Sequence, residues 1–93
     1  MEYDTVCGYT ILDNDIGRLN SLFPILTEKQ FKVLHLFAMG VSTKNIAAQM
    51  QTSEQNIKNH QKTIRDKFNC SNSQDVRMVY MTRIVSAVYL DKV

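Results

Sequence analysis

Two amphipathic stretches, residues 44–50 and 53–68, are separated by only Gln51-Thr52 before Ser53. Two helices with so short a turn between them match the helix-turn-helix pattern. Ser42 or Thr43 can cap the first of these helices, whose apolar residues are Ile46, Ala47 and Met50. Ser53 caps the second, with Glu54 in its first turn and Ile57, Ile64 and Phe68 as the inward stripe.

Helical periodicity continues on both sides. Thr27 with Gln30 three residues later is a capping box, and Phe31, Leu34, Phe37 and Ala38 follow at helical spacing. Gly40 is suited to the left-handed position that ends such a helix, giving about 28–39. From Ser73 to Leu90 there is neither Gly nor Pro, and apolar residues are too many for one narrow stripe. One side of that helix can pack on the body, and the other points to self-association. Leu12, Ile16, Leu19 and Phe23 form a further stripe, predicting a short helix near 14–22 that Pro24 ends. That stripe needs burial, so the segment is expected to pack rather than float.

With 93 residues there is room for one thin-cored domain. The expected division is an arm over 1–25 and a helix-turn-helix domain over 26–93. The net charge of +2 conceals a gradient. Residues 1–26 carry four acids and one Arg, whereas residues 27–93 carry ten Lys or Arg against five acids. A basic body suits a polyanionic partner. No apolar run reaches membrane-spanning length, and the acidic start is unlike a secretory signal, so the expected location is cytoplasmic. Cys7 and Cys70 lack CxxC spacing and are expected as reduced thiols.

The outer face of the 53–68 helix holds Gln55, Lys58, Asn59, Lys62, Arg65 and Asp66. Lys donates to guanine acceptors, Asn can pair with both polar groups of an adenine edge, and Lys and Arg neutralise phosphates. Exposed Lys and Gln are common on any helix, so this face alone does not separate a DNA reader from solvated surface. His60 has no Cys or His at ligand spacing, and no metal or cofactor is expected. No nucleophile-base pair, carboxylate pair or phosphate loop is present, so no enzymatic activity is expected.

Residues 26–79 resemble the LuxR/GerE-type (NarL/FixJ-like) helix-turn-helix regulators. The resemblance rests on Leu26-Thr27-Glu28, Val33-Leu34, Gly40-Val41-Ser42 with Lys44, Ile46-Ala47, Ser53-Glu54, Ile57-Lys58-Asn59-His60, and Ile64 with Lys67-Phe68. It implies an all-α fold, a short N-terminal helix followed by a four-helix unit, acting as a homodimer on double-stranded DNA. The third helix would enter the major groove. Lys58, Asn59 and Lys62 would then read bases, and Lys44, Ser53, Gln55, His60, Arg65 and Lys67 would meet the backbone. The last helix would pair two subunits through Val76, Val79, Tyr80, Arg83, Ile84, Ala87 and Val88. Asn56 stands where the family usually has Thr, Gln61 where Arg is frequent, and Asn69 where Gly is usual. The family usually adds a receiver or sensing domain; 26 residues are too few for one, so the resemblance is to stand-alone members. RNA polymerase or another regulator is a further expected partner. The competing reading is a protein-interaction module that binds and modulates another regulator through its helices.

Overall fold

The computed structural model describes residues 18–90, apart from the side chain of Val88. Four helices follow one another: α1 (Glu28–Ala38), α2 (Thr43–Gln49), α3 (Glu54–Lys67) and α4 (Ser73–Tyr89). No strand occurs among the described residues. Residues 18–20 are helical and residues 21–22 form a turn, so the helix expected near 14–22 ends two residues early; its residues 14–17 lie outside the described residues.

Local chemistry sets each boundary. Thr27 Oγ1 accepts the Gln30 N–H and Gln30 Oε1 accepts the Thr27 N–H, both at 3.1 Å, completing the capping box of α1. Ser42 and Ser53 cap α2 and α3 by accepting the N–H groups of Asn45 and Asn56. Left-handed residues follow three of the helices: Gly40 (φ 91°), Gln51 (φ 56°) and Asn69 (φ 56°). Asn tolerates that region because its short polar side chain bonds locally. Gln51 has no such advantage; its conformation is imposed by the tight α2–α3 turn, closed by the Thr52 N–H donating to Ala47 O. At Gly40 a Cβ would meet only the Arg77 guanidinium, at 4.0 Å, so space is not the constraint. Gly40→Ala is therefore expected to cost about 1 kcal/mol through backbone strain alone. Urea denaturation checks it, and no loss would show that the turn relaxes.

α1 is the central helix, packed against α2, α3 and α4. It buries Phe31, Val33, Leu34, His35, Leu36 and Ala38. Ile46, Ile57, Ile64 and Val76 complete the core from the other helices. The core also reaches back to Phe23, which is fully buried and lies ahead of the boundary read at residue 26. Its ring stacks on Tyr80 (centroids 5.6 Å apart, 9° between planes) and meets Phe31 and Phe68. The Arg83 guanidinium lies 5.3 Å from both the Phe23 and Phe68 rings, and its Nη1 donates to Leu22 O at 3.0 Å. Cation–π attraction and a backbone hydrogen bond thus fasten the segment before α1 onto α4. Leu19 and Leu22 pack beside it, half-buried.

Candidate nucleic-acid interface

α3 presents two unlike sides. Ile57 and Ile64 are sealed against α1 and α2, and Phe68 extends that side into the aromatic cluster. At 100° per residue, Gln55, Asn59, Lys62 and Asp66 line up opposite, with Lys58 alongside. All five are exposed.

Two contacts run along this outer line. Gln55 Nε2 donates to Asn59 Oδ1 at 3.1 Å. Lys62 Nζ donates to Asp66 Oδ2 at 3.4 Å, with both side chains about two-thirds exposed. An exposed i,i+4 ion pair is worth only about 0.3–0.5 kcal/mol, so Lys62 is readily released to another acceptor. The Asn59 carbonyl has two lone pairs, and Gln55 uses one. The amide therefore retains an acceptor and two donors, which is what pairing with an adenine edge requires.

The neighbouring residues differ in availability. Lys44 is exposed in the first turn of α2. Ser53 is exposed, but its hydroxyl oxygen already serves as the α3 cap. Asn56 bonds back to Thr52 Oγ1 at 2.8 Å, so the residue that departs from the usual Thr braces the turn. His60 is half-buried. Arg65 and Gln61 are also half-buried and line a crevice with Val33, Leu34, Phe37, Ser73 and Val76. Arg65 thus lies against apolar surface. Lys67 is turned differently: its Nζ donates to Ile25 O at 2.8 Å and to Gln30 Oε1 at 2.9 Å.

α4 is apolar on opposite sides. Val76, Tyr80 and Ala87 are buried in the chain's own core, and Val79 and Ile84 are half-buried against it. Arg83 is engaged with Leu22, Phe23 and Phe68. These residues, expected from the sequence to pair subunits, are thus mainly occupied within one chain; the side chain of Val88 lies outside the described set. The outward apolar line consists of Met78, Met81, Val85 and Tyr89, all exposed. Its spacing of 3, 4 and 4 was present in the sequence, but it was one of two apolar stripes with nothing local to rank them.

Among the described residues no cluster of three His, Cys, Asp or Glu side chains could hold a metal. No helix there is long and apolar enough to cross a membrane. The Cys70 thiol is half-buried and donates weakly to Phe68 O; Cys7 lies outside the described residues.

Comparison with known proteins bears on the same helices. Residues 24–80 match the family model described as bacterial regulatory proteins, luxR family. The nitrate/nitrite response regulator protein NarP of Escherichia coli K12 is 43% identical over 47 residues, which is 50% of this chain and 22% of that protein. The chain thus spans well under two thirds of that relative's length. No solved structure gives a significant match. The matched region takes in α1 to α3 and the first half of α4, and the chain belongs to the luxR family of bacterial regulatory proteins.

Proposed function

We propose that the chain reads a specific DNA site by placing α3 in the major groove. The observation that carries this reading is the exposed line of Gln55, Lys58, Asn59 and Lys62 on a helix whose opposite side is fully sealed. The helix can enter a groove without uncovering core. Lys58, Asn59 and Lys62 are the base-reading residues. Lys44, Ser53, Gln55, His60 and Arg65 flank them as backbone contacts, where charge and hydroxyl donors meet phosphate.

The same reading makes the DNA-bound form a homodimer on a two-part site. Met78, Met81, Val85 and Tyr89 are the pairing surface, because an exposed apolar stripe along a helix is stabilised by a partner. A second copy brings an identical stripe, which is the requirement of a two-fold interface.

Selection of duplexes from random DNA, followed by fluorescence anisotropy at several salt concentrations, tests the reading. The full chain is expected to prefer the selected duplex and to bind a scrambled one at roughly 10⁻⁴–10⁻⁶ M with strong salt dependence. Lys58→Ala and Asn59→Ala are each expected to cost about 1–3 kcal/mol on the selected duplex and to relax sequence preference. Wild-type affinity in both variants would reject this reading face. Absence of binding to any duplex would instead favour a module that acts on another regulator.

A further inference from the structure

We infer that Lys67 is a positioning residue: it fixes the rotation of α3 by bolting the C-terminal end of that helix to the N-cap of α1, and it is not a phosphate ligand. The inference rests on α3 being the reading helix. It starts from the two acceptors that Lys67 holds. Ile25 O and Gln30 Oε1 lie 42 and 37 positions away in sequence, on the strap before α1 and in its first turn. An ammonium group has three donors, and two are directed here.

Gln30 Oε1 is doubly engaged. It accepts the Thr27 N–H as the return half of the capping box and the Lys67 ammonium as well. The cap of α1 and the end of α3 therefore share one atom. Moving Lys67 to a phosphate would strip both carbonyl oxygens of their charged donor.

Rotation is the quantity that needs fixing. Polar contacts in a binding site work within roughly 0.5 Å and 10–20° of their productive geometry. Ile57 and Ile64 hold the inner side of α3 by apolar contact, which is not directional. The Lys67 bonds add direction at the far end, one residue before Phe68 enters the aromatic cluster. A small turn of α3 about its axis would carry Lys58, Asn59 and Lys62 together off their base edges.

The test uses the full chain and four variants: Lys67→Met, Gln30→Ala, the double variant, and Gln30→Glu. Each is measured by urea denaturation without DNA and by anisotropy on the selected duplex at several salt concentrations, at a temperature where every variant is folded. Lys67→Met and Gln30→Ala are each expected to weaken binding roughly fivefold, and the double variant no more than the worse single. The slope of log affinity against log salt should stay at the wild-type value in Lys67→Met. Gln30→Glu keeps the capping box, gives Lys67 a charged acceptor, and should bind at least as well as wild type. A merely structural bond would move the denaturation midpoint and leave the affinity of folded protein unchanged; that result overturns the inference. So does a Lys67→Met slope shallower by about 0.9, the signature of one lost phosphate contact, with Gln30→Ala binding normally. If the wild-type chain binds no duplex, the reading of α3 fails by itself. The positioning role then falls with it, and non-additive denaturation losses in the double variant would mark the Lys67–Gln30 bond as structural only.

Discussion

Replacing Phe23 by Ala is expected to destabilise the fold by about 3–5 kcal/mol, the range for removing a fully buried aromatic ring. Phe23 has no exposed surface. Its ring meets Phe31, Phe68 and Tyr80 and lies against the Arg83 guanidinium. Truncation would leave a void between three helices and withdraw one of the two rings from Arg83. Domains of this size have about 5–15 kcal/mol in total, so much of the folded state is at stake. The matched family region begins at residue 24, immediately after this ring. A chain beginning at Pro24 should therefore show the same loss. Urea denaturation followed by circular dichroism measures both, and a change below about 1 kcal/mol in each would show that the other rings close over the gap.

The second large effect is chemical. Tyr80 is 2% exposed, and its hydroxyl is hydrogen-bonded to His35 Nδ1, joining α4 to α1 inside the core. Burial disfavours the phenolate and pushes the Tyr80 pKa up from 10.0 to about 12. The folded chain therefore holds this proton more tightly than the unfolded chain. The resulting stabilisation is fully present below pH 10.0 and is lost as pH rises through the interval to about 12. Two pKa units correspond to a loss on the order of 2 kcal/mol. Lysines titrate in the same interval, so the informative quantity is the difference from Tyr80→Phe, which keeps the ring and lacks the proton. That variant is expected to start about 1–3 kcal/mol less stable at neutral pH, because His35 Nδ1 loses its partner. The two stability curves should converge as pH approaches 12. Parallel curves would show that the phenol ionises without cost.

Helix boundaries were legible because their causes are local. Thr27 with Gln30, Ser42, Ser53, Gly40 and Asn69 each act within four residues, and the observed ends fall within a residue or two of those expected. The line on α3 was legible for the same reason, since Ile57 and Ile64 mark its inner side. What escaped was non-local. Lys67 has the residue type of a phosphate contact, and its bonds to Ile25 O and Gln30 Oε1 join positions far apart in sequence. Pro24 reads as a boundary, yet the chain turns through it and returns Phe23 to the core through successive bonds to Asn20 O and from the Leu26 N–H. On α4 two apolar stripes compete, and tertiary contact alone decides that Val76 and Tyr80 face inward and Met78 and Met81 outward. The left-handed Gln51 carries no composition signal.

That division of α4 has a consequence for how the protein would respond in a cell. Its inward stripe is buried within a single chain. On the proposed pairing through the outward stripe, assembly is then a separate, second-order step. Dimer concentration below the dissociation constant rises with the square of chain concentration, and a twofold change in expression would produce a fourfold change in the DNA-competent species. The outer face of the last helix would thus act as an amplifier of the protein's own abundance.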